Sequence, residues 1–225
     1  MEKMDRTDEQ LLETIADLHG IPEGSFNIRK NGKLLARNSD TDIEIVSKTD
    51  KDGIYIIVKP NVKNKSVHIP VLLTVGDFQD TVYNDFFIGE NSDVTIVAGC
   101  GIHNDTCGNA EHDGVHTFYV GKNAKVRYVE RHYADGSGTG KKVFDPVTKI
   151  YLKENAQFIL ESTQLGGVTY TDRKTYATVG KNAQLLVKEK ILTDGEEKAI
   201  TDFKVKLTGK NSRADIVSRS VAKGK

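Results

Sequence analysis

A short motif centred on an asparagine recurs through the second half of this 225-residue chain. In its clearest copy, Val120–Glu130, the corner Gly-Lys-Asn-Ala separates two segments in which apolar residues alternate with polar ones. The five asparagines lie at positions 91, 123, 155, 182 and 211, which gives steps of 32, 32, 27 and 29 residues. A period of this length is typical of a repeat architecture, so the chain must fold as a stack of similar units.

Each unit has the pattern of two strands joined by a tight corner. The residues three and five positions after every asparagine are apolar, and apolar residues also alternate before it. Such alternation indicates strands with one buried face. Asparagine and glycine tolerate the left-handed backbone of a tight corner. One unit cannot bury its own apolar row, so the rows must stack. We therefore predict an all-β parallel β-helix, with a β-sandwich as the main alternative.

The charge balance excludes several classes of partner. The chain has 32 Lys plus Arg and 32 Asp plus Glu, and neither sign forms a long run. This argues against nucleic acid or an anionic membrane as the main partner. No apolar stretch is long enough to span a bilayer, no signal peptide opens the chain, and two cysteines do not make a disulfide framework. We expect a soluble, cytoplasmic protein.

We assign residues 1–79 to an N-terminal helix and β cap, and residues 80–225 to the β-helix core. A helix is predicted over 7–19, with Thr7 and Gln10 as a capping box and Gly20 at its end. Its apolar stripe either docks on the body of the chain or binds a partner; the stripe consists of Leu11, Leu12, Ile15 and Leu18. Asn31-Gly32 predicts a hairpin, and Asp50–Gly53 predicts a turn before the apolar run at 54–58. This region lacks the asparagine repeat.

The loop after the first repeat carries the residues most suited to chemistry. Both cysteines and three of the six histidines lie between Cys100 and His116. Thiolate and imidazole are ligands for zinc, iron and iron–sulfur groups, so the candidate metal ligands are Cys107, His103, His112 and His116. Their spacing matches no established finger pattern. The structural alternative is that Cys100 is a small buried apolar residue and that His116 is an ordinary packed side chain.

Signatures of other enzyme classes are weak. The chain contains no GxSxG elbow, no phosphate-binding GxxxxGK[ST] and no HExxH. One side of the predicted stack is lined by four polar side chains, Glu130, His132, Glu161 and Glu189. Carboxylates on an outer β-helix face would suit a carbohydrate-active enzyme, although nothing in the sequence pairs them.

Several successive segments of the chain resemble the SufB and SufD proteins. They are the run Val94–Cys100, the loop to His116, the Gly-Lys-Asn-Ala corner, the run 130–133 with the glycine-rich loop after it, and the segment 161–167. The resemblance covers roughly residues 80–225. It implies a right-handed parallel β-helix that serves as a scaffold for iron–sulfur cluster assembly and is not itself an enzyme.

The resemblance also implies partners and one site residue. Family members form homodimers or SufB–SufD heterodimers, bind the ABC-type ATPase SufC, and receive persulfide sulfur from a cysteine desulfurase or sulfur carrier. Cys100 matches the sulfur-accepting cysteine of SufB-type proteins, and an iron–sulfur cluster would be held transiently. The sequence stops before the last turns and the C-terminal helical region of the family, so we expect a shortened member or an end covered by another subunit. The alternatives are a carbohydrate-active β-helix enzyme and a structural interaction module.

Overall fold

The protein folds into two facing β-sheets whose strands stack in parallel, with one short helix on the outside. The computed structural model describes residues 4–224. The elements in chain order are α1 (Arg6–Ala16), β1 (Ser25–Lys30), β2 (Lys33–Asn38), β3 (Ile43–Ser47), β4 (Gly53–Val58), β5 (Lys63–His68), β6 (Val71–Leu73), β7 (Phe78–Ile88), β8 (Asp93–His103), β9 (Ala110–Val120), β10 (Lys125–Asp135), β11 (Lys142–Phe144), β12 (Val147–Leu152), β13 (Gln157–Gln164), β14 (Tyr170–Val179), β15 (Gln184–Asp194), β16 (Lys198–Leu207) and β17 (Arg213–Lys223).

The order of the strands confirms the parallel β-helix. The first sheet runs β17-β15-β13-β10-β8-β5-β1-β2, and the second runs β11-β14-β12-β9-β7-β4-β3 with β16 beside β14. Each strand from β7 onward pairs in parallel with the strand one turn away, as β8 does with β10. Parallel pairing between non-consecutive strands excludes the β-sandwich alternative. No helix in the described part of the chain is long and apolar enough to cross a membrane.

The corner asparagines form a ladder along one edge of the stack. All five have positive φ, between 54° and 60°, as the tight corner requires. Each side-chain amide donates to the asparagine one turn back, for example from Asn123 to Asn91 at 3.0 Å and from Asn155 to Asn123 at 2.9 Å. Asn61, with φ 67°, adds a step that the prediction missed, because Asn91 donates to it at 3.3 Å. The ladder therefore begins before residue 80, the predicted start of the β-helix core.

The core lies between the two sheets and contains stacked rings. Phe86 and Phe118 occupy neighbouring turns with ring centroids 4.2 Å apart and planes 9° from parallel. Phe158 meets Phe118 edge to face at 5.0 Å, and Tyr128 packs beside them. All four side chains are buried. Each turn thus buries its apolar row only against the rows of its neighbours, as the repeat predicts.

Helix α1 packs on the outer face of the first sheet, over β8 and β10. Leu11, Leu12 and Ile15 are buried there, and Leu18 is 8% exposed, so the stripe docks on its own chain. The close approach requires glycine at position 99, where a Cβ would lie 2.5 Å from the Ile15 carbonyl oxygen. The helix bounds 6–16 replace the predicted 7–19 because Asp17 adopts a left-handed conformation that ends it.

The N-terminal cap of α1 differs from the prediction. Asp5, not Thr7, is the N-cap, and its side chain accepts from the Asp8 backbone N–H at 2.9 Å. Asp8 accepts in return from the Asp5 backbone N–H at 3.0 Å, which completes the capping box. The Asn31-Gly32 hairpin and the turn before β4 are both confirmed by antiparallel pairing, of β1 with β2 and of β3 with β4.

Candidate functional site

Cys100 lies in β8 with its side chain directed into the β-helix. Its neighbours in the strand, Gly99 and Gly101, face outward under α1, so the two-residue alternation of a strand turns Cys100 inward. The residue is a free cysteine and is 5% exposed. In the register of the first sheet, Cys100 is flanked by Val71 on one side and His132 on the other. The thiol is therefore enclosed by the walls of the stack.

His112 and Asp80 stand in register on the facing sheet, in β9 and β7. The His112 Nδ1 atom lies 3.3 Å from the Asp80 Oδ2 atom, and both side chains are at most 5% exposed. Arg29 donates from Nη2 to the other Asp80 oxygen at 3.2 Å. Burial raises the pKa of Asp80, but His112 and Arg29 outweigh that effect and lower it. Asp80 is therefore a buried carboxylate held between two basic groups.

The electrostatics of His112 depend on Cys100 and Asp80. Burial alone would lower the pKa of His112, but the Cys100 sulfur and the Asp80 carboxylate beside it raise the pKa to about 10. Neither ring nitrogen makes a well-aligned hydrogen bond, although both are buried. An imidazole next to a sulfur atom, with a carboxylate on its Nδ1 side, has the order of groups in a Cys–His–Asp arrangement. The structure thus brings a thiol, an imidazole and a carboxylate together.

A second buried polar group lies one turn further along the interior. Arg173, in β14, contacts Glu130 through Nη1, donates from Nη2 to His132 Nδ1 at 3.0 Å, and has its Nε atom 3.6 Å from Glu189 Oε1. Burial raises the pKa of Glu130, but Arg173 outweighs it and lowers the pKa to about 2. Burial lowers the pKa of His132 to about 3, so this histidine is neutral and its Nδ1 atom accepts a hydrogen bond from Arg173. The group is an ion-paired network.

His116 belongs to the same interior but has different partners. Its Nδ1 atom lies 2.6 Å from the Tyr128 hydroxyl and its Nε2 atom 3.2 Å from Asn84 Nδ2. The Tyr128 hydroxyl donates to Glu130 at 3.0 Å. Burial lowers the pKa of His116 to about 4, so the ring is neutral and fully occupied by hydrogen bonds. This geometry matches the structural alternative for His116.

The comparison with protein families covers the strands that carry these residues. Residues 82–225 match the family model described as "SUF system FeS cluster assembly, SufBD core domain". The chain belongs to the SufBD family.

Two archaeal relatives carry the same family description. An "Iron-sulfur cluster assembly SufBD family protein" of Archaeoglobus fulgidus is 29% identical over 195 residues, which is 85% of this chain and 50% of the relative. A protein of the same description in Methanothermobacter thermautotrophicus is 26% identical over 176 residues, which is 76% of this chain and 41% of the relative. The chain spans about half or less of the length of these relatives.

The remaining candidate ligands of this SufBD family chain lie outside the interior group. His103, at the end of β8, has Nδ1 2.7 Å from Asp135 and Nε2 3.0 Å from Asp105. Burial lowers its pKa, but the two carboxylates outweigh that effect and raise it. Cys107 is free and exposed in the following loop. The four candidate ligands therefore occupy separate environments, and their metal role stays a prediction.

Between residues 4 and 224, the group of three or more side chains with metal-binding geometry is Glu111, Asp113 and Asp145. It contains none of the four candidates. The carboxylates Glu130 and Glu189 are buried, each 2% exposed, so they cannot form the outer catalytic face that a carbohydrate-active enzyme would need. Glu161 does lie outside, where Arg127 donates to it at 2.9 Å.

Sequence reasoning missed Asp80 and Arg173. The signal for Asp80 was available, because it precedes His112 by 32 residues, the same step that separates Cys100 from His132. Residues one repeat step apart stand side by side in a parallel stack. Arg173 has no such signal, because its partners Glu130 and His132 lie across the interior on the other sheet.

Proposed function

We propose that this chain acts in iron–sulfur cluster assembly and that Cys100 accepts sulfur during that process. The observation that carries the proposal is the buried arrangement of Cys100, His112 and Asp80. A cysteine thiolate is the nucleophile that sulfur transfer requires, and a positively charged imidazole beside the sulfur is the environment in which thiolate nucleophiles occur. Family membership supports the assignment of the pathway.

The proposed step is a transfer between two thiols. The Cys100 sulfur attacks the outer sulfur of a donor persulfide, a new sulfur–sulfur bond forms at Cys100, and the sulfur–sulfur bond of the donor breaks. The donor leaves as a thiolate. Cys100 attacks as the thiolate paired with the protonated His112 ring, and His112 then gives its proton to the departing thiolate, while Asp80 holds the ring. Thiol and persulfide exchange roles, so the step consumes no oxidant or reductant.

Access to Cys100 requires local motion, because the residue is only 5% exposed. The short strand β6, which pairs with β8 through Val71 and Cys100, is the wall segment closest to the thiol. A three-residue strand has few hydrogen bonds to hold it, so local opening there costs less than global unfolding. Sulfur transfer would accordingly occur from a transiently opened state.

The partners of the proposed function come from the same family resemblance. They are a cysteine desulfurase or sulfur carrier as donor, a SufC-type ATPase, and a second SufB- or SufD-type chain or another copy of this one. The cluster is the cargo of the process, so its iron is a substrate and not a resident cofactor. Light scattering of the full-length gene product tests the dimer: a strict monomer with and without SufB- or SufD-type chains would contradict it.

Intact-mass analysis tests the sulfur-acceptor role. The protein, Cys100→Ser and Cys107→Ser are incubated anaerobically with a cysteine desulfurase and cysteine. We expect the added mass of sulfur on the parent and on Cys107→Ser, and its loss on Cys100→Ser. Cys107→Ser is the matched control because Cys107 is the exposed and chemically more accessible thiol. An adduct that disappears only in Cys107→Ser, or no adduct on the folded parent, would refute the role of Cys100.

A further inference from the structure

The outer face of the second sheet carries a continuous apolar column. Ile57, Phe87, Tyr119 and Tyr151 occupy equivalent positions on β4, β7, β9 and β12 and are register neighbours from one turn to the next. They are 38–44% exposed. We call Phe87, Tyr119 and Tyr151 the aromatic column. Buried aromatic rings are ordinary, but a contiguous exposed row of them marks an interaction surface.

The rings of the aromatic column stack on one another. The centroids of Phe87 and Tyr119 are 5.1 Å apart with planes 8° from parallel, and those of Tyr119 and Tyr151 are 5.4 Å apart at 12°. Tyr119 therefore has both of its faces covered. A sugar ring or a nucleic-acid base binds through an exposed aromatic face. The column offers mainly ring edges, which suit the side chains of a protein partner.

Two shallow grooves meet at this column. The first, of about 390 Å³, is lined by the aromatic column together with Ile57, Pro60 and Lys153. The second, of about 350 Å³, shares Tyr151 and Thr178 with the first and continues to Tyr176, Lys204 and Lys206. The shared residues make one surface that is apolar at one end and basic at the other.

The charges along this surface are unevenly distributed. Lys153, Lys204 and Lys206 are exposed, and none forms an ion pair within residues 4–224. Glu90 is the carboxylate that lines the apolar end. Asp85, which lies beside the aromatic column, is neutralised by Lys48. Asp202, two residues before Lys204 on the same exposed face of β16, is the carboxylate beside them. The basic end therefore has two lysines against one carboxylate, and its net positive charge attracts carboxylates.

We propose that this surface docks a segment of a partner protein in which apolar side chains are followed by acidic ones. The apolar side chains would cover the ring edges of the aromatic column, and the carboxylates would lie against Lys204 and Lys206. Three exposed aromatic residues supply the contacts that dominate peptide recognition, and the lysines set the direction in which the segment lies. The inference is independent of the sulfur-acceptor role of Cys100.

Selection from a random peptide display library tests the proposal on the full chain. We expect the enriched peptides to combine apolar residues with aspartate or glutamate on one side. The dissociation constant of an enriched peptide is then measured by fluorescence anisotropy with the parent, Tyr119→Ser, and Lys204→Glu with Lys206→Glu. Reversal of two interface charges should weaken binding about tenfold or more. Tyr119→Ser should also weaken it. All of the substituted residues are exposed, and circular dichroism checks that each variant is folded.

Lys190→Glu is the matched control, because Lys190 is an exposed lysine on the outer face of the other sheet. It should leave the dissociation constant unchanged. Absence of enriched peptides, enrichment of basic peptides, or binding that Lys204→Glu with Lys206→Glu does not weaken would overturn the proposal. So would a concentration-dependent dimer that Tyr119→Ser abolishes, since the occupant would then be a second copy. Binding of a malto-oligosaccharide in place of peptides would also overturn it.

Discussion

Replacement of Arg173 by methionine would leave two buried carboxylates without their cation. Arg173 contacts Glu130 through Nη1 and approaches Glu189 through Nε at 3.6 Å, and none of the three side chains is more than 3% exposed. Loss of one partner from a buried ion pair lowers the free energy of unfolding by about 3–5 kcal/mol, because the remaining charge is neither paired nor hydrated. Arg173→Met should therefore lower the free energy of unfolding by about that amount.

The pKa of Glu130 leads to a similar value for the contribution of Arg173 to the free energy of unfolding. Burial raises this pKa, but Arg173 outweighs the effect and lowers it from 4.5 to about 2. At about 1.4 kcal/mol for each tenfold change, the difference corresponds to roughly 3 kcal/mol. Because the folded pKa is the lower one, this stability is present above pH 4.5 and is lost as the pH falls toward 2. In Arg173→Met burial raises the pKa of Glu130 without Arg173 to oppose it, so this variant should gain stability as the pH falls.

Urea unfolding followed by far-ultraviolet circular dichroism measures the effect, since the chain has no tryptophan and urea does not screen charges. The set comprises the parent, Arg173→Met, Glu130→Gln and the double variant. We expect the double variant to be more stable than the sum of the single losses implies, because it removes a charge that Arg173→Met leaves uncompensated. A loss below about 1 kcal/mol for Arg173→Met, or strictly additive losses, would refute the reasoning.

Three further predictions concern the helix, the corner ladder and the candidate site. Gly99→Ala adds a Cβ that would lie 2.5 Å from the Ile15 carbonyl oxygen, so it should displace α1 and lower the melting temperature through a loss of about 1–3 kcal/mol. Asn123→Ala forces alanine into a φ of 56° and breaks two amide hydrogen bonds, so urea unfolding should show a loss of about 1–3 kcal/mol. Asp80→Asn removes the carboxylate at His112 Nδ1, so the pKa of His112, measured by nuclear magnetic resonance, should fall; an unchanged value would show that Asp80 does not set it.

The repeat architecture was predictable because it depends on local chemistry. The two-residue alternation fixes which side chains face inward, and asparagine at the corner fixes the backbone conformation, so residues 94–187 fall in their observed rows. Asn61 was missed because its corner, Pro-Asn-Val, lacks the small residue that follows the asparagine in the other five copies. The capping box was misplaced because Asp5 lies before the apolar stripe by which the helix was recognised.

The candidate site was only partly predictable. One interpretation of the sequence is that Cys100 is buried, and the structure confirms its burial. Its approach to His112 depends on how the two sheets face each other, and no sequence spacing determines that distance. His103, Cys107 and His116 lie near Cys100 in sequence, yet the alternation of the strand and the exposed loop direct them elsewhere. Proximity in sequence does not determine which of these side chains meet, and their metal role stays a prediction.

The most direct test of the account is the site and rate of persulfide formation, mapped by peptide mass spectrometry on the folded protein. After anaerobic exposure to a cysteine desulfurase and cysteine, the sulfur should appear on the peptide that contains Cys100. Loss of the protonated imidazole, which stabilises the Cys100 thiolate and protonates the leaving thiolate, should slow its appearance in His112→Gln on the order of 100-fold, with the parent rate retained in Cys107→Ser. Sulfur found on Cys107, or formed at Cys100 at the same rate in His112→Gln, would contradict the proposed arrangement of Cys100, His112 and Asp80.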